Sequence, residues 1–243
     1  MKKFLISATA FLLVFSMVFF CGCDNKKTSS KSQTKVTQKQ AQTGKYSSAQ
    51  LKTYLDSFVK GDNPLYGTWK IKGIKSFSYI FRNDGLGEIA LGTEADFAKL
   101  SIDTKKQTLG VAFVLGLNGT YNYTLSNDNK TLTLKNDQSS FTLLKQKDYN
   151  LIPKPKKNPK TDNDILGWWQ CDGNIFYFAD DGIMYSNTIT METCYNYNAE
   201  NGKINAVYKY DGDVKISMKY SYKNSKLNID GDDFTKFTPD CLK

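Results

Sequence analysis

The sequence predicts an all-β protein made of two tandem small antiparallel meander β-barrels, preceded by one short amphipathic helix and a disordered tether. Three observations favour this fold class. Short runs alternate apolar with polar residues, Asp-Gly pairs punctuate those runs, and a long internal repeat is present. Once a leader is removed, about 220 of the 243 residues remain, which is enough for one large or two small domains.

The first 23 residues, MKKFLISATAFLLVFSMVFFCGC, have the layout of an export signal, with two lysines followed by an apolar run. The tetrapeptide at 20–23 resembles a bacterial lipobox, which implies a signal peptide over 1–22 and a diacylglycerol group on Cys23. Gly22 suits the position before the cut, whereas Phe20 would place a bulky residue at a cut before Cys21. The alternative is an uncleaved spanning helix; both interpretations place the folded part outside the cytoplasm.

Residues 23–45 are rich in Lys, Ser, Thr and Gln and are predicted to form a disordered tether, because they hold a single large apolar residue, Val36. The net charge of the whole chain is +9, but residues 46–243 contain 25 Lys+Arg and 23 Asp+Glu, a difference of only +2. A nucleic-acid partner is therefore not expected, since such partners require basic groups clustered on a folded face. The excess charge belongs to the leader and the tether.

Residues 46–61 are predicted to form the short helix, with an apolar stripe that includes Leu51 and Leu55 and is expected to pack on the first domain. A linker over 148–164 contains prolines 153, 155 and 159, which favour an extended connection between the domains.

The internal repeat covers about eighty residues in each copy, too long for a solenoid unit and typical of a duplicated domain. It defines a first copy at 62–147 and a second at 165–243, each with eight predicted strands that would close into a barrel and so remove their edges. The matched ranges, first copy then second, are 67–73 with 167–173, 76–87 with 174–184, and 121–142 with 219–235.

Each copy opens on a Gly-x-Trp sequence, at Trp69 and at Trp169. This opening resembles that of lipocalins and fatty-acid-binding proteins. The resemblance implies lipocalin-like β domains in which the tryptophan begins the first strand and plugs one end of the barrel. Similar small domains occur in secreted lipoproteins of Gram-positive bacteria, which implies a cell-surface location on the membrane.

The second copy contains a candidate ligand-binding set made of Trp169, Tyr208, Tyr210, Tyr220 and Tyr222. Because side chains alternate along a strand, these tyrosines are expected to point with the core residues of their strands. One interpretation is an apolar pocket with phenol hydroxyls for a small apolar ligand or a glycan. The other is a small core that uses tyrosine as filler.

Three cysteines lie in the second copy. The first and last strands of a closed meander are neighbours, so a disulfide between Cys171 and Cys241 is predicted, with Cys194 left over. The alternative is three reduced cysteines.

The sequence contains no histidine, which removes the commonest general base and metal ligand. Asp-Gly pairs fit turns better than calcium loops, so neither a metal nor a cofactor is expected. We therefore expect a non-catalytic binding module anchored to the membrane through its N-terminal lipid, with a cell-envelope protein, a glycan or a small apolar ligand as partner. A hydrolytic enzyme is the third hypothesis.

Overall fold

The computed structural model describes residues 45–147, 151–188, 190–210 and 212–243. The predicted signal peptide, Cys23 and all but the last residue of the predicted tether lie outside these residues. No helix within the described residues is long and apolar enough to cross a membrane.

One α-helix, sixteen strands and a final 3₁₀ turn make up the described residues. The helix α1 and the strands of the first copy are α1 (Ser48–Ser57), β1 (Gly67–Ile71), β2 (Ser78–Phe81), β3 (Leu86–Leu91), β4 (Glu94–Asp103), β5 (Thr108–Ala112), β6 (Asn118–Leu125), β7 (Thr131–Lys135) and β8 (Ser140–Lys145). Those of the second copy are β9 (Gly167–Cys171), β10 (Asn174–Phe178), β11 (Ile183–Asn187), β12 (Met191–Glu200), β13 (Lys203–Tyr210), β14 (Gly212–Lys223), β15 (Lys226–Ile229), β16 (Asp232–Phe237) and the turn Asp240–Leu242.

Every strand pairs antiparallel with the next strand of its own copy. In the first copy β1 also pairs with β8, which closes β1–β8 into what we call the first ring. In the second copy β9 pairs with β16, which closes the second ring, β9–β16. The prediction of an all-β protein with a closed eight-strand antiparallel meander is confirmed.

The two rings share the register of their opening strands. Trp69 lies opposite Lys145 on the last strand of the first ring, and Trp169 lies opposite Lys236 on the last strand of the second. Gly67 likewise lies opposite Phe81, as Gly167 lies opposite Phe178. The two copies therefore share their strand register as well as their sequence pattern.

The rings are joined by direct pairing of β4 with β12. Both are ten-residue strands, and each pairs with the strand that follows it only along its second half. Strand β4 pairs with β5 over 100–103, and strand β12 pairs with β13 over 196–200. The free first halves pair with each other, with Ala95 opposite Glu192 at the centre. Each ring thus fills a gap in the strand pairing of the other.

The two strands of this junction, one from each ring, are related by an approximate two-fold axis. Two further backbone hydrogen bonds flank the paired residues: Cys194 donates to Thr93 over 2.8 Å, and Phe97 donates to Thr190 over 3.0 Å. Each bond joins the strand of one copy to the turn before the equivalent strand of the other. Such self-complementary contact is the arrangement found in symmetric dimers.

The helix α1 bridges the two rings, although it was expected on the first copy. Its buried residues Leu51, Tyr54 and Leu55 join an apolar cluster with Trp168 and Tyr185 on the outer face of the second ring. The Tyr54 ring lies 4.7 Å from that of Trp168. The first ring contributes Ala95 to this cluster and holds the end of the helix, where the backbone N–H of Asn83 donates to the Phe58 carbonyl over 2.8 Å.

The start of α1 explains this preference for the second ring. The β10–β11 turn supplies Asp181, whose carboxylate accepts hydrogen bonds from the backbone N–H of Ser48 at 3.1 Å and from its hydroxyl. A carboxylate at a helix N-terminus is favoured by the unpaired N–H groups and by the helix dipole. Ser47, at the N-cap position, makes no side-chain capping hydrogen bond, and the capping carboxylate comes from a residue 133 positions away from Ser48.

Candidate functional site

The predicted tyrosine set does not form one group. Antiparallel pairing places Tyr208 opposite Val214, near the turn between β13 and β14. The same register carries Tyr220 to the opposite end of the hairpin, where its backbone N–H donates to the Gly202 carbonyl. Alternation along each strand correctly predicted the shared face, but these two tyrosines lie at different ends of it.

The interior of the second ring is occupied by its own side chains. Trp169, Phe178, Met184, Tyr197, Ile204 and Leu227 are fully buried there. Tyr220 is also buried, and its hydroxyl donates to a carboxylate oxygen of the linker residue Asp162 over 2.7 Å. Tyr210 and Tyr222 remain about 40% exposed. This arrangement supports the interpretation of Tyr208 and Tyr220 as core filler and leaves Tyr210 and Tyr222 largely at the surface.

The two Gly-x-Trp tryptophans occupy equivalent, fully buried positions. The indole N–H of Trp69 donates to the Leu65 carbonyl over 2.7 Å, and that of Trp169 donates to the Ile165 carbonyl over 2.7 Å. The Lys145 ammonium lies 5.1 Å from the Trp69 ring centre, and the Lys236 ammonium lies 5.0 Å from that of Trp169. Both rings therefore use the same tryptophan-lysine pair near the start of the first strand.

The predicted disulfide between Cys171 and Cys241 is absent from the structure, in which both are free thiols together with Cys194. Strands β9 and β16 are neighbours, as expected, but they run antiparallel, with Phe237 opposite Trp168. Cys171 ends β9, whereas Cys241 follows the end of β16, so the two residues lie at opposite ends of the strand pair. Burial raises the pKa of the Cys194 thiol well above its ordinary value, which keeps that thiol protonated.

A buried ion cluster joins the two rings, and no pattern in the sequence predicted it. The Nη1 atom of Arg82 donates to Glu88 at 2.5 Å and to Glu192 at 2.9 Å, and all three side chains are at most 3% exposed. Asp84, one-third exposed, accepts from the other side of the guanidinium at 2.6 Å. The ring of Phe58 covers the guanidinium, with its centre 3.7 Å away.

The positive charge of Arg82 is compensated within this cluster. Burial alone would lower the pKa of Arg82, but the carboxylates of Glu88, Asp84 and Glu192 outweigh it and raise that pKa, so the arginine stays cationic. The hydroxyl of Tyr185 adds a hydrogen bond to Glu192 over 3.0 Å. The arrangement is suited to fixing the rings together rather than to proton transfer with a substrate, because Arg82, Glu88 and Glu192 are closed off from solvent. The feature of the sequence that could have revealed the cluster is a carboxylate within an otherwise apolar strand, as Glu88 is within Leu86–Leu91.

A second pair of carboxylates, Glu94 and Asp96, lies half-buried at the junction of the rings on β4. Burial, with a smaller contribution from Asp96, raises the pKa of Glu94 to about 7. Burial also raises the pKa of Asp96. These groups are thus less readily ionised than ordinary surface carboxylates.

Replacing Glu94 with glutamine is expected to stabilise the protein at pH 8 and to have little effect at pH 5. The folded protein binds a proton at Glu94 more tightly than the unfolded chain, whose pKa is near 4.5, so stability falls as pH rises between 4.5 and about 7. The gain at pH 8 should be about 1 kcal/mol, because solvent screens a half-exposed group. Urea unfolding at both pH values measures it, with Asp137→Asn on an exposed turn as the control. A gain of equal size at pH 5 would contradict the assignment.

Two surface pockets lie on the outer faces of the rings. The β1 pocket, of about 330 Å³, is lined by residues that include Thr68, Lys70 and Lys75. The α1 pocket, of about 350 Å³, lies between the start of α1 and β16. Its lining includes Lys45, Tyr46, Trp168, Lys236, Phe237 and Leu242. Neither pocket is lined by the four tyrosines of the predicted set.

Among the described residues, no group of three or more Cys, Asp or Glu side chains is arranged to hold a metal ion. Searches of family models, curated proteins and solved structures returned nothing that matches this chain.

Proposed function

We propose that the protein is an extracytoplasmic lipoprotein, anchored to the membrane through Cys23, that acts as a non-catalytic binding module built of two tandem lipocalin-like barrels. The anchor follows from the leader and its lipobox-like tetrapeptide. Two acyl chains give stable membrane attachment, whereas one alone gives only reversible binding.

The observation that carries the binding role is that large side chains of the chain itself fill the interiors of both rings. Trp69, Tyr79 and Phe81 are fully buried in the first, as Trp169 and Tyr197 are in the second. Eight-strand barrels with filled interiors leave little room for an internal ligand. Partners are therefore expected on the outer surface. The separation of Tyr208 from Tyr220 weighs against the alternative of a single tyrosine-lined pocket in the second copy.

A non-catalytic role is supported by the chemistry of the buried polar groups. The carboxylates of Glu88 and Glu192 accept hydrogen bonds from Arg82, and the Cys194 thiol is fully buried with a raised pKa. A nucleophile needs an adjacent base and access to a substrate. The chain contains no histidine that could act as this base, and the groups are buried rather than placed beside an open cleft.

The Cys23→Ser variant is expected to lose both acyl labelling and signal cleavage when the chain is expressed in a bacterial host with radiolabelled palmitate. The Cys21→Ser variant is the matched control, and it should keep both because Cys21 leaves with the signal peptide. Labelling lost in Cys21→Ser and kept in Cys23→Ser would show that the wrong cysteine was assigned. Labelling absent from the parent protein would overturn the lipoprotein assignment.

A further inference from the structure

The indole N–H of Trp168 differs from those of the other two tryptophans. Trp69 and Trp169 each donate to a backbone carbonyl, whereas the Nε1 atom of Trp168 has no hydrogen-bond partner among the described residues. Trp168 is only 3% exposed and lines the α1 pocket. A buried donor without an acceptor is costly, and Trp168 forms part of the wall of a pocket from which a ligand can supply that acceptor.

The charged residues that line the α1 pocket are of one sign. Lys45 and Lys236 line it, and their ammonium groups lie 5.4 and 5.5 Å from the centre of the Tyr46 ring. No Asp or Glu is among the lining residues, and no carboxylate in the described part of the chain forms an ion pair with either lysine. Two cations close to one ring favour an anionic group in the pocket beside them.

The rest of the pocket wall is apolar or weakly polar. Tyr46, Phe237 and Leu242 provide aromatic and aliphatic surface, and Gln50 and Thr238 add an amide and a hydroxyl. The volume of about 350 Å³ lies at the lower end of the range for small-molecule sites. A ligand that fits this wall has a short apolar body attached to its charged group.

We propose that the α1 pocket binds a small carboxylate that carries an aromatic or short aliphatic body. The carboxylate accepts the hydrogen bond of the Trp168 indole N–H and is neutralised by Lys45 and Lys236, while the body packs on Tyr46 and Phe237. A carboxylate matches the single indole N–H and the two ammonium charges, whereas the lining holds no arginine that would bind a phosphate through two parallel hydrogen bonds. This inference deepens the proposed binding role and rests on it only for its biological setting.

The test uses the three indole N–H resonances of the full chain, labelled with ¹⁵N-tryptophan and purified in a non-ionic detergent. The Trp168→Phe variant assigns the Trp168 resonance. Phenylacetate is expected to shift that resonance with millimolar affinity, as for a ligand of about ten non-hydrogen atoms, and to leave the Trp69 resonance in place. Phenylacetamide, which is neutral, should leave all three unchanged. An equal shift with phenylacetamide, no shift with phenylacetate, or a shift with phenyl phosphate alone would overturn the proposal.

The chain offers a matched pair of lysine variants for the charge. The Lys236→Met variant removes one ammonium group from the pocket. The Lys145→Met variant removes the equivalent ammonium group in the first ring, which lies over Trp69 and does not line the pocket. Lys236→Met should weaken phenylacetate binding roughly tenfold, and Lys145→Met should leave it within about twofold. Equal losses would refute a role for Lys236, and thermal melts establish that both variants fold. Because lipidation is measured separately at Cys23, failure of either assay leaves the other interpretable.

Discussion

The Arg82→Met variant is expected to lose about 3–5 kcal/mol of its free energy of unfolding. Arg82 is the only cation of the buried ion cluster that the structure describes, and its removal leaves the carboxylates of Glu88 and Glu192 without it in a site closed to water. An uncompensated buried charge costs more than the ion pair contributes, which is why the loss should be large. Urea unfolding at neutral pH, followed by circular dichroism, measures it.

Two further variants make this prediction specific. Asp84→Asn removes a carboxylate from the same guanidinium, but Asp84 is one-third exposed, so the cost should stay below about 1 kcal/mol. Adding Glu88→Gln and Glu192→Gln to Arg82→Met should recover part of the lost stability, because the two buried carboxylates that faced the guanidinium are then neutral. An Arg82→Met protein as stable as Asp84→Asn would show that the cluster contributes little.

Replacing either Gly-x-Trp tryptophan with alanine is expected to cost about 3–5 kcal/mol. Trp69 and Trp169 are fully buried, each donates a hydrogen bond to a backbone carbonyl, and each lies under a lysine. Because their surroundings are equivalent, the two losses should be similar in size. Urea unfolding of Trp69→Ala and Trp169→Ala, side by side with the parent chain, checks both the size and the similarity.

A phenylalanine series at the three tryptophans isolates the hydrogen bond. Trp69→Phe and Trp169→Phe leave the Leu65 and Ile165 carbonyls without their indole donors, which adds about 1–3 kcal/mol to the cost of lost packing. Trp168→Phe removes a donor that has no partner in the described part of the chain, so only packing is lost. If Trp168→Phe were the most damaging of the three, the indole of Trp168 would have to hold a partner inside the protein.

Local patterns in the sequence predicted the strands, their hairpin order and the equivalence of Trp69 with Trp169. Asp-Gly turns and alternation act over a few residues, so a single chain reveals them. Alternation also placed Tyr208 and Tyr220 on the inward face. It does not specify which residues stand opposite each other, and that register separated Tyr208 from Tyr220 and Cys171 from Cys241.

The contacts that the sequence did not reveal span long separations. Arg82 and Glu192 lie 110 residues apart, and Ser48 and Asp181 lie 133 apart. No local pattern links such residues, because their meeting depends on how the two rings dock. The α1 pocket has the same origin, since Lys45 and Tyr46 come from the end of the predicted tether and the start of the predicted helix and meet Lys236 only in the folded chain.

The pairing of β4 with β12 has a consequence for how the two copies depend on each other. A copy separated from its neighbour would present an unpaired half-strand, which is a template for other chains. Because the pairing is related by an approximate two-fold axis, that half-strand is complementary to the same element of a second copy. The duplicated chain carries this second copy on a covalent linker, so the effective concentration of the partner stays constant however far the protein is diluted. The linker thereby makes the pairing of β4 with β12 independent of how much protein the cell produces.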